Sequence, residues 1–351
     1  LPMIQQEKLG FFLQSDLQQG FQLECPPLMR CTLIKMSEDS YQFIWSYHHL
    51  LLDGWCLPII LKEVFTFYES FQKNHYLSLT PPRPYKDYIA WLQQQSLEEA
   101  KTFWQKALHG FTAPTPLVFG KATSNYEQIY HEIKLTLPAK LASALQSLVR
   151  QHRLTLNSLM QGVWALLLSR YSGDNDVCFG TTVSGRPTAL SGVESMVGLF
   201  INTLPVRVNV PKNTSLLSWL QHLQGQQVER EQYSYTQLTE IQGWSEVPRG
   251  TPLFESIVVF EKYPLDSSLF EHRSLEVGKV EVFERNNFPL TVLVIPSQDS
   301  LSLQISYERS RFDTNLINRI LGHFQTVLEA IVANPQQQVC QLPLLTQTEQ
   351  H

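Results

Sequence analysis

The stretch Tyr41-Gln42-Phe43-Ile44-Trp45-Ser46-Tyr47-His48-His49-Leu50-Leu51-Leu52-Asp53-Gly54, with Pro58 a few residues on, is the most informative in the chain. Its first half is aromatic and β-branched and reads as a strand, while a proline is favoured in the first turn of a helix. Two imidazoles and a carboxylate four residues beyond the second therefore sit where a strand gives way to a loop. A neutral imidazole accepts a proton near pH 7, so the pattern suits acyl transfer.

Working outward, Met29 to Met36 is a second strand-like run, and the turn-rich Ser37-Glu38-Asp39-Ser40 joins it to Tyr41 as an antiparallel hairpin. After Pro58 the period changes: Ile59, Ile60, Val64, Phe65, Phe67 and Tyr68 recur at helical spacing as far as Gln72. Thr80-Pro81-Pro82-Arg83-Pro84 cannot continue a helix, which places a boundary between a first lobe, residues 1–82, and a second, 83–340.

The second lobe predicts helices over Tyr85 to Gln95 and Leu97 to Leu108, the latter capped by Ser96 with Glu98 and Glu99 in its first turn. A strand near 128–137 and a helix from Pro138 to His152 follow, then an apolar helix from Asn157 to Tyr171. Strands at Asp176 to Val183 and Leu204 to Val210 flank Ser184-Gly185-Arg186-Pro187 and the run Met196 to Thr203. A helix from Ser215 to Gln232, strands at 256–261, 290–295 and 301–307, and a last helix from Asn315 to Val332 complete an α/β chain.

At 351 residues and 43% hydrophobic, the chain has the length for two lobes. With 27 Lys and Arg against 32 Asp and Glu, its net charge is -5 and no run of one sign suits a nucleic acid. Cys25, Cys31, Cys56, Cys178 and Cys340 form no CxxC pair, which fits a reducing cytoplasm. The longest apolar run, Val163 to Leu168, is far too short to span a bilayer, and no signal peptide or membrane segment is expected. His75, His109, His131 and His152 lack metal-ligand spacing, so no metal is expected. A first residue Leu1 and a polar, Pro-containing C-terminus lead to the expectation that the chain is cut from a longer one.

Several blocks, in order, carry a resemblance to the condensation domains of nonribosomal peptide synthetases. His48-His49 through Asp53-Gly54 matches HHxxxDG, and Tyr85 to Leu92 is similar to YRDYIAWL. Met196 to Val208 resembles MVGxFxNTLPxR, preceded by Gly185-Arg186-Pro187. Asn287 to Thr291 and Tyr307 to Asp313 resemble the late blocks, and Leu342-Pro343-Leu344-Leu345 is similar to the linker into a following adenylation domain, here 341–351.

The resemblance implies a chloramphenicol-acetyltransferase-like fold: two similar lobes in a V with the active site between them, the first lobe incomplete. It implies peptide-bond formation between a donor aminoacyl or peptidyl thioester and the amine of an acceptor aminoacyl thioester. Both are carried on 4'-phosphopantetheine arms of upstream and downstream peptidyl carrier domains, and no cofactor is bound directly. It also places the arginine partner of the motif aspartate in an N-terminal segment not found before Leu1, so Asp53 is expected to lack that partner.

His49 is the expected catalytic residue, accepting the amine proton or orienting the amine; both roles stay open. His48 falls on the other face of the pleat and reads as structural. Asp53 is either a second acid or base or, as the resemblance favours, a structural residue. Gly54 lets backbone approach closely and offers an N–H to an oxyanion. Trp55 and Trp91 read as tunnel wall or core. Asn202 either lines the tunnel or satisfies a bend before the next strand. The doubled His and Gly54-Trp55 speak against heterocyclisation and epimerisation relatives. An ester-forming or coenzyme A-dependent acyltransferase of the same fold, and a non-catalytic carrier-docking fragment, are the alternatives.

Overall fold

The computed structural model describes residues 3–117, 130–260, 275–283, 287–297 and 300–350. They fall into two units by contact. The first takes in the described residues up to Ile89, Arg186–Phe200 and residues 275–276. The second takes in Ala90–Gly185, residues 201–260 and the described residues from Val277 onward. A division into consecutive lobes at residue 82 has no place for this return of Arg186–Phe200 to the first unit.

In the first unit, α1 (Met3–Gln19) precedes β1 (Met29–Lys35) and β2 (Tyr41–Tyr47), and α2 covers Cys56–Gln72. The strands pair antiparallel with Met29 opposite Tyr47 and Lys35 opposite Tyr41, closed by Met36 N–H donating to Ser40 O at 2.8 Å. Arg30 ties α1 to this hairpin through Asp16 Oδ1 (2.9 Å) and the Gly20 carbonyl (2.7 Å). Burial pushes the Asp16 carboxyl up, but hydrogen bonds from Arg30 and Ser46 hold it below its ordinary value. The sequence reading has no helix at α1, where Ile4, Phe11 and Leu17 are exposed and Leu9, Phe12 and Leu13 are half-buried. No described residue before Leu52 is buried.

The second unit is different in kind. It holds α4 (Leu97–Leu108), β3 (Tyr130–Thr136), α5 (Ala139–Gln151), α6 (Leu156–Ser172), β4 (Asp176–Val183), β5 (Asn202–Asn209), α7 (Leu216–Glu231) and α8 (Leu238–Trp244). Then come β6 (Ser256–Phe260), β7 (Leu290–Pro296), β8 (Leu301–Glu308) and α9 (Thr314–Ala333). A short helix α3 (Lys86–Leu92) lies where the chain passes from one unit to the other. Six strands form one mixed sheet in the order β3-β8-β7-β6-β4-β5, with β4–β6 and β6–β7 parallel and the rest antiparallel.

Alternate side chains feed opposite faces of this sheet. From β4, Val177 and Phe179 join Trp164, Leu145 and Phe324 under α5, α6 and α9, while Cys178 joins Trp104, Ile241 and Phe254 under α4 and α8. Burial on both faces explains the near-continuous apolar runs of β4, β6 and β7. Helix α6 is buried from Ser158 to Ser169, starts at a Thr155 cap that accepts from Ser158 N–H (3.0 Å), and stops at Gly173 with φ 81°. Ser96 caps α4 as its sequence predicts, accepting from Glu99 N–H at 3.3 Å. The expected strand ends at 128–129 and at residue 261 lie outside the described residues.

Residues 342–350 fold back onto the second unit. Leu342 is buried, and Glu349 accepts from Thr346 N–H (3.0 Å) and Arg319 Nε (2.8 Å) and meets His323 Nε2 (2.7 Å), whose Nδ1 meets the Tyr171 hydroxyl (2.6 Å). The Thr346 N–H, then Arg319 and His323, hold the Glu349 carboxyl well below its ordinary range. Among the described residues no helix is long and apolar enough to cross a membrane, and no three His, Cys, Asp or Glu are grouped to hold a metal ion.

Two outcomes are expected. A Cβ on Gly180 would press on Phe254 and Ile257 side chains, so Gly180→Ala is expected to cost about 1–3 kcal/mol, read as a lower urea midpoint. A depressed carboxyl stabilises above its unfolded value and ceases to as pH falls through the folded one. The melting-temperature advantage over Glu349→Gln is therefore expected to be full above about pH 4.3 and to shrink steadily below it.

Candidate active site

Strand β2 ends at Tyr47, but His48 N–H still donates to Leu28 O at 2.9 Å, extending the hairpin by one residue. The chain then turns. The His48 carbonyl accepts from Leu51 N–H (3.0 Å), and its Nδ1 accepts from Leu50 N–H (3.1 Å). An Nδ1 that accepts leaves the hydrogen of the neutral ring on Nε2. Phe21 packs edge-on against the ring, centroids 6.4 Å apart. The imidazole of His48 is thus part of the turn. His49, on that turn, is exposed, and its ring makes no hydrogen bond among the described residues.

Asp53 lies at the opposite extreme, 3% exposed. Its Oδ2 accepts from the Phe200 N–H at 2.9 Å, and its Oδ1 lies 3.4 Å from Arg186 Nη2. Both side chains of that ion pair are only 4% exposed. The expectation that Asp53 lacks its arginine is therefore overturned: Arg186, from the Gly185-Arg186-Pro187 block, is present and paired. The same guanidinium donates through Nη1 to the carbonyls of Val193 (2.5 Å) and Met196 (3.0 Å) and lies over the Phe200 ring at 4.0 Å. A buried ion pair is tolerable only when its remaining polar valences are met, and these contacts meet most of them.

Helix α2 begins immediately after, with Cys56 N–H donating to Asp53 O (3.0 Å) and Leu57 N–H to Gly54 O (3.3 Å). Gly54 is buried at this corner. Trp55 is half-buried, donates its indole N–H to Glu194 O (3.0 Å) and has the Arg186 guanidinium over its ring, 5.5 Å from the centroid. Cys56 is fully buried, and burial pushes its thiol above the ordinary value of 9.0. Tyr85 donates to Leu199 O and packs edge-on to Phe200, centroids 5.1 Å apart. Gly198 is obligatory here, since a Cβ would fall within the Tyr85 ring.

Within the second unit, Asn202 uses both amide hydrogens on the carbonyls of Ser234 (2.8 Å) and Thr236 (2.7 Å), and its oxygen accepts from Thr203 N–H (2.8 Å). Trp91 packs edge-on to Tyr235. Arg230 lines a narrow cleft with Gln161 and Thr181, and burial lowers its guanidinium to about 10.

Sequence reading misses Arg186, Cys56 and the Phe200 N–H as partners of Asp53. The arginine has a signal in its Gly-Arg-Pro block; the cysteine and the backbone N–H, more than 140 residues apart in sequence, have none.

Comparison with known proteins shows the family and the fold. A model of the Condensation domain family matches residues 3–351. A linear gramicidin synthase of Brevibacillus parabrevis is 44% identical over 348 residues, covering 98% of this chain and 7% of that protein. Bacitracin synthase 1 of Bacillus licheniformis is 35% identical over 345 residues, covering 97% and 6%. The chain therefore spans less than a tenth of these relatives' length. Among solved structures, a four-domain nonribosomal peptide synthetase bound to AMP and glycine superposes with a TM-score of 0.81 at 18% identity, over 98% of this chain and 27% of that one. The X-domain from teicoplanin biosynthesis gives 0.78 at 20% identity, over 93% and 78%. These likenesses show the chloramphenicol-acetyltransferase-like fold expected from the sequence.

Removing one member of a buried ion pair strands the other charge. Arg186→Met is expected to destabilise the chain by about 3–5 kcal/mol in urea unfolding, and Asp53→Asn combined with Arg186→Met by less than Arg186→Met alone.

Proposed function

The chain belongs to the condensation-domain family, whose reaction is amide-bond-forming acyl transfer, and from that premise we propose that it forms a peptide bond with His49 at the reacting centre. The observation that carries this reading is the division of labour in the turn. His48 is bound into the backbone, and His49 next to it is exposed on a turn whose far end is fixed by buried Asp53.

In the proposed reaction the acceptor's α-amine attacks the donor's thioester carbonyl. The C–N bond forms, the C–S bond breaks, and the proton shed by nitrogen ends on the departing thiol. His49 accepts that proton or holds the amine by a hydrogen bond; positioning alone is worth several kcal/mol when reacting atoms are held near about 3 Å. Gly54 N–H is proposed as an oxyanion donor, and Trp55 as wall of the substrate passage. With both its amide hydrogens occupied, Asn202 is proposed to brace the segment before α8 and not to bind a substrate carbonyl.

The substrates are proposed to arrive as thioesters on 4'-phosphopantetheine arms of an upstream and a downstream carrier domain, with an adenylation domain following residues 341–351. The four-domain synthetase of the same fold supports this setting. Five free cysteines, two of them buried, suit a reducing cytoplasm, where we place the protein. A hydroxyl nucleophile would give an ester by the same steps.

The test is dipeptidyl-thioester formation between two loaded aminoacyl carrier proteins, followed by intact-protein mass spectrometry. His49→Ala is expected to lower the rate about 100-fold or more. Undiminished product in that variant would sink the assignment, and transfer from coenzyme A thioesters but not from carriers would favour a free-standing acyltransferase.

A further inference from the structure

Cys56 has one proton and four polar neighbours. Its Sγ is 3.3 Å from Asp53 Oδ1 and 3.2 Å from Gly198 O, both acceptors. Gly198 N–H and Arg186 Nη2 point at the same sulfur from 3.3 and 3.5 Å. Burial keeps the thiol protonated at neutral pH, so it enters this junction as a donor while its lone pairs accept. A residue needed only to fill space at the start of α2 would have no reason to meet polar groups on every side.

We propose that Cys56 is a positioning residue, joining the turn that carries His49 to the segment Gly198–Phe200 through a reciprocal hydrogen-bonded junction. This rests on the reading of His49 as the group at the reacting centre.

Coupling follows from the neighbours of the junction. Gly198 is held on one side by Tyr85, whose ring occupies the space a Cβ would need, and on the other by the sulfur. With Gly198 fixed, the Phe200 N–H two residues on is aimed at Asp53 Oδ2. Asp53 is thereby gripped from both carboxylate oxygens, by Cys56 and Arg186 on Oδ1 and by Phe200 on Oδ2. Loosening the sulfur contacts frees Gly198 and Asp53 together, and with Asp53 the turn from His48 to Leu51. Cys56 does this without touching substrate, so its effect belongs in turnover and not in carrier affinity.

Serine keeps both donor and lone pairs at this position; alanine keeps neither. With loaded carrier proteins, Cys56→Ala is expected to lower kcat about tenfold per folded molecule, with KM for either carrier within about twofold, and Cys56→Ser to restore kcat to within about threefold. Equal impairment of the two variants, or a loss in Cys56→Ala that vanishes when corrected for the folded fraction, overturns the proposal.

Amide exchange decides independently of what His49 does. In the unsubstituted protein the amides of Leu50, Leu51, Gly198 and Phe200 are expected to open as one unit, with urea dependences that coincide. Protection at Leu50 and Leu51 is expected to fall in Cys56→Ala and to return in Cys56→Ser. Separate opening of the two segments, or unchanged protection in Cys56→Ala, overturns the coupling even when His49→Ala abolishes activity. Should His49→Ala prove active while exchange behaves as expected, the reading of the catalytic residue fails and the junction stands.

Discussion

The buried carboxylate of Asp53 is the constraint on which the first unit turns. An ionised carboxylate removed from water is unfavourable by several kcal/mol unless opposite charge and hydrogen-bond donors surround it. The chain supplies these from the guanidinium of Arg186 and the N–H of Phe200, both far away in sequence, and from the thiol of Cys56 three residues on. That demand gives a physical reason for the return of Arg186–Phe200, between β4 and β5, to the first unit. The guanidinium then organises its own surroundings, collecting the carbonyls of Val193 and Met196 and facing the ring of Phe200. A charge placed beside a turn has thus recruited an ordered segment to hold it.

The two units rest on different physics. In the second, a six-stranded sheet is covered on both faces, so most of its stability follows from apolar area removed from water. The first has a two-stranded sheet, no buried residue among those described before Leu52, and exposed Phe11, Leu33 and Phe43. A two-stranded ribbon has little independent stability in water. Specific polar contacts are correspondingly prominent there: Arg30 with Asp16, and Asp53 with Arg186, Phe200 and Cys56. Such contacts are directional, and loss of one partner leaves another group buried without compensation.

Legibility of the sequence follows the same division. Strand β4 is legible to the residue, and α6 and α9 to within a residue or so at each end, because an element packed against a large core shows its period or an unbroken apolar run. Helix α1 is not legible, since its apolar residues are split between exposed Ile4, Phe11 and Leu17 and half-buried Leu9, Phe12 and Leu13. At the site, the HHxxxDG spacing marks His48, His49 and Asp53, but the family resemblance places the partner of Asp53 in a preceding segment when it lies 133 residues later. Local patterning reports which residues a turn contains. It does not report which distant backbone N–H a fold will bring to a carboxylate, or which thiol will join it, and in sequence Cys56 is one of five scattered cysteines.

If His49 is the reacting group, as proposed, the pair His48-His49 divides reactivity and support between neighbours. A residue that exchanges protons with substrate has to keep its ring nitrogens free of strong internal partners, yet it must be held within a fraction of an ångström to act. One side chain cannot meet both demands by its own contacts. Here the fixing contacts belong to adjacent residues: His48 gives its Nδ1 to Leu50 N–H and its carbonyl to Leu51 N–H, and Asp53 anchors the far end. These bonds close the turn around His49, while its own ring stays uncommitted among the described residues. Doubling the histidine therefore adds structure before it adds chemistry. The turn that carries the exposed ring is anchored at its far end by a carboxylate that the solvent does not reach.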